Sequence, residues 1–217
     1  MKPKKIETII FDFGGVVLDI DPQLTINEFV KLGFSNLEKT KSDEFTQLIR
    51  KFERGIFTPE VFRKKMKMFL EIEVSDQQFD DAWNALLYDI PSERIEIIEQ
   101  VKENYQILLL SNSNEIHYDL YVRDLQLRFG YREFDDLFHN AYFSFDLHLS
   151  KPDLEVYEFV ICQHELKPKK TLFIDDRIDN LEIAKQAGLQ TYHLQSPERI
   201  RDLFTNGLLN SDLNIIR

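Results

Sequence analysis

The sequence predicts an α/β protein: a doubly wound, parallel β-sheet into which a bundle of helices is inserted near the N-terminus. Short, uninterrupted apolar runs, which are typical of strands buried on both faces, alternate with helical patterns along most of the chain. One long stretch, residues 19–90, carries helical patterns alone. Polar residues stand where predicted strands end, at Asp12, Ser111 and Asp175-Asp176. Because ligands of such sheets bind beyond the carboxyl ends of the strands, these positions are the first candidates for a functional site.

The first predicted strand, Ile9 to Phe11, ends at a carboxylate, Asp12, which Phe13-Gly14-Gly15 follows. An ionised carboxylate at the end of a buried strand is costly unless a metal, a set of donors or a substrate compensates it. Consecutive glycines allow a sharp turn whose backbone N–H groups can point at an anion. Taken alone, the stretch is more typical of an ordinary Asp-x-Gly turn, so its interpretation depends on its partners downstream.

Residues 19–90 predict four amphipathic helices with no strand among them. The first two end near Gly33 and Gly55, and Thr58 and Ser75 are placed to cap the third and fourth. We interpret the segment as a small bundle with its own core. The residues that form its apolar stripes are Ile26, Phe29, Val30, Phe45, Leu48, Ile49, Phe52, Phe62, Met66, Phe69, Leu70, Phe79, Trp83, Leu86 and Leu87.

After Ile90-Pro91-Ser92 the chain returns to alternating helices and strands. A long, irregular helix is predicted from Glu115 to Gly130, and a terminal helix from Ser196-Pro197 onward. Helices also occupy the other intervals. The predicted strands are Tyr105–Leu110, Asn140–Ser144, Thr171–Ile174 and Gln190–Leu194.

Composition narrows the classes of partner. The 27 basic and 38 acidic residues give a net charge of −11, which argues against a nucleic-acid or anionic-membrane surface. A single cysteine, Cys162, rules out a disulfide framework within the chain and fits a reducing compartment. No apolar run is long enough for a membrane span. We therefore expect a soluble, cytoplasmic protein.

Four motifs resemble, in order and spacing, those of the haloacid dehalogenase-like superfamily: Asp12-Phe13-Gly14-Gly15-Val16, Ser111-Asn112, Lys151-Pro152-Asp153, and Asp175-Asp176 with Asn180. The helical insertion after the first motif is similar to the type C1 cap of subfamily I. The resemblance covers nearly the whole chain. It implies a Rossmann-like core of residues 1–18 and 91–217, with strand order 5-4-1-2-3, and a helical cap domain of residues 19–90.

The resemblance implies a magnesium-dependent phosphatase that hydrolyses a small phosphorylated metabolite, such as a sugar phosphate, through an aspartyl-phosphate. Asp12 would be the nucleophile. A Mg²⁺ ion would neutralise the approaching anions, held by Asp12, Asp176 and the Gly14 carbonyl. Asp175 would be either a further ligand or a group that orients the ligands.

The same resemblance implies a set of donors for the phosphoryl oxygens. Ser111, Asn112 and Lys151 would supply side chains, and Phe13 and Gly14 would supply backbone amides. A helix cap is the competing interpretation of the first two. A solvated lysine is the competing interpretation of Lys151, although positive charge is disfavoured at the start of a helix.

One residue departs from the family pattern: Gly14 occupies the position of the usual general acid and base. Small sugar-phosphate phosphatases similar to this chain carry the same glycine. A 2-haloacid dehalogenase also lacks the acid, but needs no metal, so Asp175 and Asp176 would then be two uncompensated carboxylates. A non-catalytic, ligand-binding scaffold is a further alternative. Asp19 is the nearest replacement acid in sequence, and a structural role in the hinge is its competing interpretation.

Substrate selection is expected in the cap. Within Glu53-Arg54-Gly55, Arg54 would contact substrate, or equally well form a surface ion pair. His117 is interpreted as a packing residue near the mouth of the site, with a substrate contact as the alternative. The sequence identifies neither the metabolite nor the oligomeric state.

Overall fold

A five-stranded parallel sheet lies at the centre of the structure, a computed structural model that describes residues 6–196 and 198–215. Its strands are β1 (Thr8–Phe11), β2 (Gln106–Ser111), β3 (Asn140–Phe143), β4 (Thr171–Asp175) and β5 (Gln190–His193). They pair in the order β3-β2-β1-β4-β5, with Ile9 opposite both Ile107 and Leu172. The predicted parallel sheet and its strand order are confirmed, since this order is 5-4-1-2-3 counted from the other edge.

The strands are buried on both faces because their apolar side chains alternate between two cores. Ile9 and Phe11 face a core to which α5 contributes, whereas Ile10 faces a core with α9 and α10. This explains why the strands are uninterrupted apolar runs. The helices of the sheet domain are α5 (Ser92–Lys102), α6 (Glu115–Asp124), α7 (Phe134–Leu137), α8 (Ser144–Leu147), α9 (Leu154–Gln163) and α10 (Ile178–Gln186).

The inserted segment forms a helical bundle with a separate aromatic core. Phe52 stacks on Phe62 with ring centroids 4.1 Å apart, and Trp83 packs edge-on against Phe62 at 4.9 Å. Thr58 and Ser75 accept hydrogen bonds as N-caps, as predicted. The four helices are α1 (Pro22–Lys31), α2 (Asp43–Glu53), α3 (Pro59–Leu70) and α4 (Asp76–Asn84).

The two chain segments that connect the bundle with the sheet domain pair with each other in antiparallel orientation. Ile20 bridges Leu87, and the Tyr88 backbone N–H donates to the Asp19 carbonyl at 3.2 Å. Chain entry and exit therefore run side by side, which is the geometry of a hinge. We propose that the cap comprises residues 19–90 and that these paired segments are its boundary.

The C-terminal region corrects the sequence prediction. The terminal helix expected after Ser196 is wrong; the chain forms a 3₁₀ turn, Ile200–Leu203, and then a hairpin of β6 (Phe204–Thr205) and β7 (Leu208–Leu209). Apolar spacing misled the prediction, because buried side chains three residues apart also suit one 3₁₀ turn. Pro197, with which the predicted helix starts after Ser196, lies outside the described residues.

The predicted irregular helix after β2 is α6 followed by a π-helical turn, Leu125–Phe129, that stops at Gly130. None of the helices in the described ranges has the length and apolar character required to cross a bilayer.

Candidate active site

Three carboxylates converge where β1 and β4 end. Asp12 follows β1, and its backbone N–H donates to the Ile174 carbonyl of β4 at 2.9 Å. Because the two strands are parallel neighbours, Asp12 comes beside Asp175 and Asp176 at the same edge of the sheet. One oxygen from each of the three side chains lies within 4.8 Å of the others.

Lys151 bridges two of these carboxylates. Its buried Nζ donates to Asp12 Oδ1 at 2.6 Å and to Asp175 Oδ2 at 2.8 Å. Burial lowers the pKa of Lys151, but the two carboxylates outweigh it, so the pKa lies above its usual value. The interpretation of Lys151 as a solvated surface lysine is therefore wrong.

Asp175 and Asp176 differ in their hydrogen bonds. Asp175 accepts from Lys151, from Asn180 Nδ2 at 3.0 Å and from the Arg177 backbone N–H at 2.8 Å. Asp176 is only half-buried, and no described residue donates to its carboxylate from a side chain. The geometry thus leaves Asp176 free for a ligand and favours Asp175 as the group that orients Lys151.

Gly15 explains why the first motif contains a second glycine. Its φ is +83°, and a Cβ there would lie 2.4 Å from Asp176 Oδ2. Any side chain at this position would displace the carboxylate and strain the turn. The Gly14-Gly15 pair predicts a sharp turn, but not this close approach of Gly15 to Asp176.

The cluster suits a hard divalent cation. Burial raises the pKa of Asp12 to about 7, the charge of Asp175 adds to this, and Lys151 opposes it. Burial and Asp175 likewise raise the pKa of Asp176. Three carboxylates against one ammonium are thus undercompensated, and all available ligands are oxygens, which Mg²⁺ prefers. The residues therefore fit a Mg²⁺ ion bound by Asp12 and Asp176.

Asn112 holds the backbone of Lys151. Its side-chain Nδ2 donates to the Lys151 carbonyl at 2.7 Å, and the Lys151 N–H donates to Asn112 Oδ1 at 2.9 Å. The N-cap of α6 is Asn114, so helix capping by Ser111 or Asn112 is wrong. Ser111 lies at the buried end of β2, next to Asn112. Phosphoryl contacts from Ser111, Asn112, Phe13 and Gly14 stay predictions.

Asp19 lies in the hinge. Both of its oxygens accept from Nη2 of buried Arg94 at 2.9 Å, and Arg94 Nη1 also donates to the Val17 carbonyl at 3.1 Å. With both oxygens held by Arg94 at the start of α5, Asp19 ties the segment that enters the proposed cap to the sheet domain. The structure therefore favours the hinge role for Asp19.

The tip of the cap, defined here as Glu53, Arg54 and Gly55, rests on the sheet domain. Arg54 Nη1 pairs with Asp153 Oδ2 at 2.9 Å, two residues after Lys151. Of the two interpretations of Arg54, the structure favours the ion pair. Glu53, for which the sequence predicts no role of its own, is half-buried, and burial raises its pKa to about 7.

His117 lies between cap and core. Its ring stacks on Trp83 with centroids 5.4 Å apart, and Nδ1 hydrogen-bonds with Asn84 Oδ1 at 2.7 Å. Burial lowers its pKa to about 3, so the ring is neutral. The packing role is what this geometry supports.

Comparisons with known proteins agree with this architecture. Residues 6–188 match the model of the haloacid dehalogenase-like hydrolase family. The chain is 28% identical over 189 residues to D-ribitol-5-phosphate phosphatase from Bacteroides thetaiotaomicron, covering 86% of this chain and 91% of that protein. A HAD family enzyme from the same organism, solved with magnesium and inorganic phosphate, is 33% identical with a TM-score of 0.83, covering 92% of this chain and 100% of that one.

A more distant likeness concerns the fold alone. L-2-haloacid dehalogenase from Xanthobacter autotrophicus superposes with a TM-score of 0.59 at 16% identity, covering 94% of this chain and 84% of that one. The similarities thus span both the sheet and the inserted bundle.

Proposed function

The chain belongs to the haloacid dehalogenase-like hydrolase family, and from this premise we propose that it is a magnesium-dependent phosphatase of small phosphorylated metabolites. The observation that carries the proposal is the cluster at the end of the sheet. Lys151 lies between Asp12 and Asp175, and the carboxylate of Asp176 is open beside them. A nucleophile, a fixed cation and ligands for a metal are thus together at one point.

The named relatives support the same reaction class. The curated relative is a phosphatase of a polyol phosphate, and the solved relative holds magnesium and phosphate. A sugar or polyol phosphate is accordingly the proposed type of substrate. The net charge of −11 does not oppose a phosphorylated substrate, because the charges next to the reacting group set the local field.

The residues divide the chemistry between them. Asp12 attacks phosphorus, an Asp12 oxygen–phosphorus bond forms, and the bond to the leaving alcohol breaks. Lys151 stabilises charge on the phosphoryl oxygens, assisted by Ser111 and the amides of Phe13 and Gly14. Water then cleaves the aspartyl-phosphate, which releases phosphate and restores Asp12. When bound, Mg²⁺ supplies charge neutralisation between nucleophile and substrate.

The dehalogenase alternative is weaker than the phosphatase proposal, although the reason differs from the one that the sequence suggests. From the sequence alone, Asp175 and Asp176 are two uncompensated carboxylates in a metal-free site. Asp175 is in fact compensated by Lys151 and Asn180, so the argument for a metal rests on Asp176 together with Asp12, whose only cation, Lys151, is shared with Asp175. The likeness to the haloacid dehalogenase is one of fold. A non-catalytic scaffold would not need the Lys151 bridge to Asp12.

A screen of phosphorylated metabolites for phosphate release, with magnesium and then with EDTA, tests the proposal. We expect release with magnesium that EDTA abolishes. Halide release from 2-haloacids without metal would identify a dehalogenase. Binding of a phosphorylated metabolite without turnover would identify a scaffold.

A further inference from the structure

None of the residues given a role above can donate a proton to the leaving oxygen. Gly14 has no side chain, and Asp19 is paired with Arg94 in the hinge. In an in-line displacement the leaving oxygen lies opposite the attacking one. Asp12 attacks from the end of the sheet, so the leaving oxygen faces the cap. A replacement donor should therefore come from the cap side.

Contacts at the tip of the cap fix the position of Glu53. The Arg54 carbonyl accepts from His148 Nδ1 at 2.9 Å, and the Arg54 guanidinium pairs with Asp153. Gly55, at φ +64°, lies so close to the core that a Cβ there would meet the Phe145 carbonyl oxygen at 2.1 Å. Glu53 is thereby anchored against the loop that leads to Lys151.

The Glu53 carboxyl accepts no hydrogen bond from any donor among residues 6–196 and 198–215, although it is half-buried. It also ends α2, where the helix dipole disfavours negative charge. Burying an unpaired carboxyl costs free energy, so folding alone does not account for this residue.

The charged groups around Glu53 connect it with the catalytic cluster. Arg50 faces it from its own helix, and Arg177, which follows Asp176, faces it from the core. Burial raises the pKa of the Tyr121 hydroxyl of α6, and the charges of both Asp12 and Glu53 add to this effect. The Arg54–Asp153 pair and His148 are further ionisable groups at the tip. Burial outweighs both arginines and sets the pKa of Glu53 at about 7, which suits a group that must give and take a proton.

We propose that Glu53 is the general acid and base that Gly14 cannot be, an inference that rests on the proposed phosphatase function. In the first step the Glu53 carboxyl gives its proton to the leaving oxygen as the phosphorus–oxygen bond breaks and Asp12 becomes phosphorylated. The alcohol departs, and water takes its place. The Glu53 carboxylate removes a proton from that water as its oxygen attacks phosphorus. Phosphate leaves Asp12, and Glu53 is again protonated.

The substitution Glu53→Gln separates this role from binding. The aliphatic phosphate that the wild type hydrolyses fastest in the screen is compared with p-nitrophenyl phosphate, whose leaving group needs no proton. For the aliphatic ester we expect kcat/KM to fall by about 10²–10⁴-fold. For p-nitrophenyl phosphate we expect kcat/KM to be nearly unchanged, because it reports only the steps through phosphorylation.

A second readout concerns the base. With p-nitrophenyl phosphate, the variant should release one equivalent of p-nitrophenol in a burst and then turn over slowly, because the water attack lacks its base. In the wild type, kcat/KM for the aliphatic ester should fall above about pH 7, and Glu53→Gln should lose this limb. Glu44→Gln, an exposed glutamate on the same helix, is the matched control and should behave like the wild type.

Equal losses of kcat/KM on both esters would overturn the proposal and assign Glu53 to binding or packing. Unchanged kcat/KM on the aliphatic ester would overturn it as well. If the wild type releases phosphate from no aliphatic ester with magnesium, the proposed function itself fails.

Discussion

The carboxyl groups in the cluster at the end of the sheet and at the tip of the cap differ in their hydrogen bonding. In the cluster, Asp175 accepts hydrogen bonds from Lys151, Asn180 and the Arg177 backbone, and these bonds fix the orientation of its carboxylate. At the tip, Glu53 accepts no hydrogen bond from any described residue. In the proposed mechanism, the cluster stabilises charge on the phosphoryl group and Glu53 transfers protons. The two tasks would then lie on opposite sides of the boundary between the sheet domain and the proposed cap.

The largest effect is expected at the nucleophile. Asp12→Asn should retain the fold but reduce phosphate release to background, because an amide cannot form the phosphoenzyme. Phosphate release measured beside circular dichroism checks both statements. If the folded variant keeps near-normal turnover, Asp12 is not the nucleophile.

The two carboxylates after β4 should respond differently. Asp176→Ala should abolish magnesium binding and activity with little effect on stability, because its carboxylate has no donor to lose among the described side chains. Asp175→Ala should lower magnesium affinity by no more than about 10–100-fold. It should cost about 3–5 kcal/mol of stability, because it breaks the buried pair with Lys151.

Titration calorimetry with Mg²⁺ and urea unfolding measure the two effects on the same variants. Equal magnesium affinity in the wild type and Asp176→Ala would remove Asp176 from the metal site. Loss of stability in Asp176→Ala as large as in Asp175→Ala would remove the contrast between them.

The tip of the cap offers a smaller effect with a definite pH dependence. The pKa of Glu53 rises from 4.5 to about 7 on folding, so the folded state holds the proton in this interval and stability falls as the pH rises through it. Glu53→Gln does not titrate. It should therefore be more stable than the wild type by about 1–2 kcal/mol above pH 7, a figure reduced for partial exposure.

This advantage should vanish below about pH 4.5. Urea unfolding at several pH values measures it, with Glu44→Gln as the control. An advantage that is the same at all pH values would mean that Glu53 titrates normally in the folded protein.

The smallest effect concerns the ion pair at the same tip. Arg54 and Asp153 are each more than a third exposed, at 37% and 41% of their side chains. Arg54→Gln should cost less than about 1 kcal/mol of stability and leave magnesium affinity unchanged. A cost of several kcal/mol by urea unfolding would show that the tip is as tightly coupled as the Lys151 cluster.

The cluster was largely predictable because its residues interrupt apolar strands. Asp12 and Asp175 follow runs that are buried on both faces, and parallel pairing brings their ends together without further information. The bridge from Lys151 to both carboxylates was not predictable from spacing. It depends on how Asn112 holds the Lys151 backbone across the site.

The sequence predicted that the tip of the cap lies near the site, but not which of its side chains forms an ion pair. Adjacent charged residues at the end of a helix point in different directions, and docking on the core decides which one pairs. Arg54 pairs with Asp153, a residue far away in sequence, so its neighbour Glu53 is left as the unpaired group. The wrong terminal helix has a similar cause, because the apolar pattern alone does not distinguish one 3₁₀ turn and a short hairpin from a helix.

The most direct test of the account is to trap the phosphoenzyme. The enzyme is mixed with magnesium and p-nitrophenyl phosphate, and the reaction is quenched in acid during turnover. The protein is then digested, and the masses of the peptides are measured by mass spectrometry. We predict one added phosphoryl group on the peptide that contains Asp12, at low occupancy in the wild type and accumulating in Glu53→Gln. Steady turnover without phosphorylation of Asp12 at any time would contradict the account.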